Sequence, residues 1–219
     1  MNAPGKHLAK NIPIEFNQTI DRISYDQGAW QLHSLESGDI TQPYDWLVLA
    51  LPAPQTIALA KSIDSSIEAL AMKANMQGCW TVMASFAEKL NLPFDAAFIN
   101  HEIISWVARN NSKPNREGLE TWTIHANPQW SQEYIELDKE EASKLILGCV
   151  KKLGLDCGKA EIAIHRWRYA SGHTILPPGF RLNEELKIGF CGDWLNGGRV
   201  EGAWLSGYKL ASQMKNINN

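Results

Sequence analysis

One stretch near the C-terminus restricts the architecture of this chain more than any other. Leu186-Lys187-Ile188-Gly189-Phe190-Cys191 reads as a buried strand and runs directly into Gly192-Asp193. A Gly197-Gly198 turn follows, and a helix opens near Arg199–Glu201. Glycines at such a junction let backbone amides approach a ligand closely, and a helix N-terminus favours anions or electron-rich acceptors. Asp193, at the carboxyl end of a strand, is placed to accept hydrogen bonds from the hydroxyls of a sugar or polyol. Along the helix Ala203, Gly207 and Ala211 recur every fourth residue, as do Gly198, Gly202 and Ser206. Small residues at that spacing allow close packing on a sheet or a bound ligand. Generic physics leaves a second reading open, a plain strand-turn-helix with an acidic cap.

The opening of the chain suits the later part of an open α/β sheet. Residues 6–12 read as the tail of a helix that stops before Pro13. Ile14-Glu15-Phe16 alternates, and Thr19–Ile23 and Trp30–His33 read as strands joined at Gln27-Gly28, with Gly38 marking a second turn. The run Tyr44–Leu51 is apolar on both sides, which predicts a strand covered on both faces. It ends at Pro52-Ala53-Pro54, and a helix over Thr56–Lys61 follows.

The middle has a different rhythm. A helical stretch, Ser65–Ala74, leads to predicted strands at Cys79–Phe86, Ile103–Arg109, Glu120–Ala126 and Ala160–Tyr169. Leu137–Leu153 is an amphipathic helix with Asp138 as N-cap and Glu140-Glu141 in the first turn. Strands on both sides of a helix, spaced for antiparallel pairing, predict an α+β module inserted into the first unit.

Composition closes off several function classes. With a net charge of −3 and a pI near 6.1, the chain offers no broad basic surface for nucleic acid or anionic lipid. No apolar window is long enough for a membrane span, and the N-terminus lacks the apolar region of a secretory signal. The four cysteines are scattered without CxxC spacing, which argues against a zinc ribbon or redox motif and predicts reduced, mostly buried thiols in a cytoplasmic protein. Nine tryptophans stand out in 219 residues, and most are expected in the core.

The segment CGDWLNGGRVEGAWLSGYKLA resembles the C-terminal flavin-binding signature of the renalase-like flavoproteins in the flavin-containing amine oxidase superfamily. KHLA at 6–9, DWLVLALPAPQ at 45–55, WVARNNSKPNREGLETWTIHANPQWS at 106–131 and HRWRYA at 165–170 resemble the bacterial members in the same order. The resemblance implies an α/β plus α+β fold. A partial FAD/NAD(P)-binding Rossmann-like domain (1–63 and 185–219) would carry an inserted mixed-sheet substrate domain (64–184). Family members begin with a strand, a GxGxxG turn and a helix that cradle the FAD pyrophosphate. None of the 16 glycines here forms that motif, and Met1–Gly5 resembles an internal family stretch.

Carried over residue by residue, Asp193 resembles the family aspartate that binds the ribityl or pyrophosphate part of FAD, with Gly192 allowing the approach. Arg199, Val200, Glu201 and Ala203 match the turn that meets the flavin ring. Ala50, Leu51 and Pro52 match the strand end beside the FAD phosphates and ribose, and Thr19 and Ile20 the adenine-side strand. Trp122, His125, Trp167, Arg168 and Trp194 are the substrate-side candidates; Trp167 and Arg168 alternate along a strand, so at most one of them faces a pocket. The implied activity is oxidation of isomeric dihydronicotinamide dinucleotides by hydride transfer to FAD, with dioxygen as acceptor. No catalytic acid or base is implied. A remnant that binds FAD weakly or not at all, and an amine oxidase of the same superfamily, are the alternatives. A small-molecule substrate, and neither nucleic acid nor membrane, is the expected partner.

Overall fold

The computed structural model describes residues 3–171 and 175–217. The chain opens with α1 (Ala3–Leu8), none of whose residues is buried. The alternation of Ile14-Glu15-Phe16 predicts a strand, but none forms there, and both apolar side chains are exposed. β1 (Ile20–Asp26) and β2 (Ala29–Ser34) then pair antiparallel with Asp26 opposite Ala29, leaving Gln27-Gly28 as the whole loop. Both loop residues have positive φ, 48° and 84°, as a two-residue hairpin needs to match the twist of its strands. β3 (Gly38–Tyr44) completes a meander in the order β1-β2-β3.

The run predicted as a long doubly covered strand contracts to β4 (Leu47–Leu49), and Val48 keeps 42% of its surface exposed. Side chains alternate between the two faces of a strand, and here only the face holding Leu49 is buried; β4 is also the last strand of its sheet among the described residues. α2 (Ala53–Ala60) carries Pro54 in its first turn, where a missing N–H is harmless, and α3 (Ser66–Met72) follows.

The next part holds β5 (Gln77–Phe86), β6 (Ala96–Phe98), β7 (Ile104–Arg109), β8 (Glu120–Ala126), α4 (Pro128–Glu133), α5 (Lys139–Lys152) and β9 (Glu161–Ser171). Its strands form one antiparallel sheet ordered β6-β7-β8-β5-β9. As predicted, Asp138 caps α5, its carboxylate accepting from the Glu140 N–H at 2.7 Å. Ala142, Ile146, Cys149 and Val150 form the buried stripe of that helix, with Lys151 and Lys152 in its last turn. β10 (Arg181–Asn183), β11 (Ile188–Phe190) and α6 (Val200–Ile217) then return to the first part. β11 lies between β10, antiparallel, and β4, parallel.

Buried side chains form two cores. One gathers Trp30, Leu49, Ile67, Ile188, Phe190 and Trp194; the other gathers Trp80, Val82, Trp122, Ile124, Ile146 and Val150. The indole of Trp30 donates to the carbonyls of Leu186 and Lys187 at 3.0 and 3.2 Å, tying the meander to the approach to β11. Ile67, Ala71 and Ala74, expected in the second unit, pack in the first core, and β10 extends the first unit's sheet. Trp30, Trp80, Trp122, Trp130 and Trp194 are buried, whereas Trp167 and Trp204 are half exposed. Cys149, Cys157 and Cys191 are buried free thiols, and Cys79 is half-buried.

Candidate functional site

The parallel register of β4 and β11 (Leu47 opposite Ile188, Leu49 opposite Phe190) brings both carboxyl ends out at one level. The crevice beyond such ends is where open α/β sheets bind ligands. Two bonds hold the exits together. The Cys191 N–H donates to Leu49 O at 3.2 Å, and the Trp194 indole N–H to Leu51 O at 2.9 Å. Thr56 Oγ also donates to Leu51 O, at 3.2 Å, so that carbonyl is fully occupied. Ala50 beside it is exposed and Pro52 caps α2.

Gly192 is a glycine because of close approach. A Cβ there would lie 2.8 Å from Trp194 Cδ1, on an indole already fixed by its bond to Leu51. After Asp193 the backbone doubles back: Asp193 O accepts from the Asn196 and Gly198 N–H groups at 2.9 and 2.8 Å. Gly197 and Gly198 both have positive φ, 92° and 71°, which successive L-residues adopt only at a cost. α6 starts immediately afterwards, with Asn196 Nδ2 donating to Gly202 O at 3.3 Å. A Cβ on Gly202 would collide with the Asn196 carbonyl. Ser206 completes the clasp, accepting from the Gly192 N–H at 3.0 Å and donating to Gly179 O.

Ala50, Leu51, Pro52, Gly192 and Asp193 are thus gathered at the two strand exits, with Arg199, Val200, Glu201 and Ala203 on the turn and first helical turn behind them. Among the described residues no hydrogen bond reaches the Asp193 carboxylate, which is only partly exposed and stays free as an acceptor. The first N–H groups of α6 have no acceptor within their own helix. Trp194, expected on the substrate side, is fully buried and acts as the strut between the exits.

A second chemically dense surface lies on the five-stranded sheet. β5, β8 and α5 sandwich Trp80, Val82, Trp122 and Ile124 on one face. On the other, antiparallel register lines up Trp106, His125, Thr81 and His165, one from each of β7, β8, β5 and β9. Directly opposed residues share a face, so these four side chains stand together. Trp106 and His125 rings lie 4.9 Å apart, and Trp167 sits 4.2 Å from His165. Burial, with the Lys113 positive charge as a smaller contribution, holds His125 below the usual histidine range. It is a neutral imidazole at pH 7.

This arrangement separates the substrate-side candidates. His125 and Trp167 stand on the open face. Trp122 lies in the core on the other, donating to Glu120 at 2.9 Å beneath the Arg109 guanidinium, 5.1 Å from its ring. The side chain of Arg168 pairs with Glu136, which also accepts from Arg166. Neither Trp122 nor Arg168 stands in that open-face row. Trp122 is a core strut, since it lies three positions before His125 and an odd spacing reverses the face of a strand. Arg168 belongs to an ion-pair network. Trp106 and Thr81, which join the open-face row, carry no signal of their own in the sequence; pairing register alone brings them beside the histidines.

No family model matches this sequence. Solved structures of similar fold do exist. A protein named as a protoporphyrinogen oxidase from an Exiguobacterium species superimposes with a TM-score of 0.73 at 14% identity, covering 97% of this chain and 50% of its own. Cyclohexylamine oxidase from Brevibacterium oxydans gives 0.66 at 17% identity, with 92% of this chain and 49% of that one matched. A conjugated-linoleic-acid-producing fatty acid isomerase from P. acnes gives 0.65 at 16%, over 95% and 50%. The chain therefore spans about half the length of the structures whose fold it shares.

Proposed function

We propose that the chain is the cofactor- and substrate-facing half of an FAD-dependent oxidoreductase. On this reading β4, β11 and α6 belong to a Rossmann-like FAD domain, and the five-stranded sheet is a substrate domain inserted into it. The observation that carries the proposal is the pair of joined strand exits, Leu51 and Gly192-Asp193, backed by the N-terminus of α6.

Two features there fit the ring and ribityl side of FAD. The Asp193 carboxylate is free to accept from hydroxyls, and the N–H groups opening α6 favour negative charge on a flavin ring. When bound, FAD would supply a hydride acceptor that dioxygen reoxidises. The chain's own residues bind and orient. Trp106, His125, His165 and Trp167 offer flat surfaces to a planar ring, and neutral His125 adds no charge to repel a cationic product. Isomeric dihydronicotinamide dinucleotides, oxidised to NAD(P), are the proposed substrate class. Among the described residues no helix is long and apolar enough to cross a membrane, and the proposed setting is the cytoplasm.

One observation favours a second reading. GxGxxG is absent from these 219 residues, so they do not themselves supply the phosphate-binding amides of a dinucleotide site. Alone it would then bind FAD weakly or not at all. The purified protein, mixed with FAD and desalted, separates the readings: a retained flavin spectrum supports holding by these contacts, and Asp193→Ala should then weaken retention at least tenfold. A colourless protein rejects binding by this chain alone.

A further inference from the structure

The row of side chains on the open face of the five-stranded sheet does not end at Trp106. β6 pairs with β7 so that Phe98 lies directly opposite Trp106, and directly opposed residues share a face. Ala97 and Ile99, on either side of Phe98, turn the other way and pack against the core. Phe98 therefore stands on the open face, with 91% of its surface exposed. Each strand now contributes one residue to the row: Phe98, Trp106, His125, Thr81 and His165, in the strand order β6-β7-β8-β5-β9. Flat rings stand at both ends, Phe98 and Trp106 at one, His165 and the half-exposed Trp167 at the other. With three strands between β6 and β9, the ends lie about 19 Å apart.

The two ends differ in what lies beside them. The chain passes between its two units at the start of β5 and the end of β9. There the Ala53 N–H donates to Met76 Sδ at 3.4 Å, and the Leu176 N–H to Leu195 O at 2.9 Å. The His165–Trp167 end is thus the one next to the strand exits, and Phe98 is on the opposite edge strand. A single exposed phenylalanine needs no explanation, but an aromatic row of this length is more than one planar ring can cover. We infer that Phe98 and Trp106 form a second base platform, which stacks the adenine of a dinucleotide whose nicotinamide ring lies at the His165–Trp167 end. This assignment rests on the dinucleotide reading proposed above, and adds to it the residue that tells a dinucleotide from a mononucleotide. Bases stack on aromatic side chains without a hydrogen-bond pattern, which suits a platform whose outermost ring carries no polar atom. An extended linker of two riboses and a pyrophosphate is of the length needed. Lys113 stands near enough to His125 for its charge to help keep that imidazole neutral, and the same charge favours a pyrophosphate crossing the middle of the row.

Equilibrium binding to the purified chain tests this, read from the NMR shifts of the His125 and His165 ring protons. NAD+ and nicotinamide mononucleotide are the probes, and no flavin is added, because its own adenine would compete for the platform. Phe98→Ala should weaken NAD+ by about fivefold or more, the lower end of what one base–aromatic stack contributes, and leave the mononucleotide unchanged. Phe98→Trp, which keeps a ring there, should hold NAD+ at least as tightly as the unchanged protein, whereas Trp167→Ala should weaken both probes. Unaltered NAD+ binding in Phe98→Ala, with the mononucleotide still bound, overturns the platform and leaves the dinucleotide reading standing. Equal weakening of both probes by Phe98→Ala also overturns it, since the nicotinamide ring would then lie at that end. If neither probe moves either histidine, the dinucleotide reading fails and the platform with it.

Discussion

The indole N–H of Trp194 reaches across from one strand exit to the other, donating to the carbonyl of Leu51 at 2.9 Å from a fully buried ring. Two segments 143 residues apart in sequence are thereby held in one register at the proposed site. The same ring makes Gly192 obligatory.

Trp194→Phe keeps most of the apolar volume and removes this donor. A lost buried hydrogen bond costs about 1–2 kcal/mol, and for a chain of this size each kcal/mol lowers Tm by about 2–4 °C. Thermal unfolding should therefore show a Tm lower by a few degrees. An unchanged Tm would mean that the bond does not hold the exits together.

Two glycines on α6 should respond in opposite directions. Gly202→Ala drives a methyl into the Asn196 carbonyl, which the turn cannot easily move, and should destabilise by about 1–3 kcal/mol. A methyl on Gly207 would meet no atom within 4 Å, so Gly207→Ala should stabilise by about 0.5–1 kcal/mol through helix propensity. Urea denaturation of both variants checks the pair; equal signs would contradict the packing.

Glu36 ties the start of β1 to the end of β2. Hydrogen bonds from the Thr19 hydroxyl, the Thr19 N–H and the Ser34 hydroxyl pull its carboxyl down to about 2 from 4.5. A depressed folded-state pKa gives stability that is complete above 4.5 and is lost as pH falls from 4.5 toward 2. Glu36→Gln should flatten the acid limb of the stability curve in that window. An identical pH profile in the variant would show that these bonds do not persist in solution.

His125 should titrate below an ordinary histidine, and NMR of its ring protons reads the midpoint directly. Lys113→Met removes the smaller cause and should raise the midpoint part of the way, burial keeping the remainder. Because the folded-state value is lowered, this group opposes folding once pH drops below about 6.5. A midpoint unmoved by the substitution would place Lys113 away from the ring.

Much of the local structure was legible from residue chemistry. The Asp138 cap and the 4-3-1 spacing of Ala142, Ile146, Cys149 and Val150 mark α5, and Gln27-Gly28 between alternating runs marks the hairpin. The glycines around Asp193 announce a turn at which backbone must come close to something. Even the opposite faces of Trp122 and His125 are implied by their spacing, because side chains alternate along a strand. What that spacing cannot say is which face is open. The packing of α5 decided it, burying Trp122 and leaving His125 with Trp106, Thr81 and His165. Those four come from separate strands, and only the pairing register, a relation between distant segments, puts them in a row. The same holds for β4: its apolar run reads as doubly covered, yet cover depends on what packs on each face, and Val48 stays exposed. Local sequence dictates dihedral preference and periodicity; neighbours across a sheet are chosen by the burial of the whole fold.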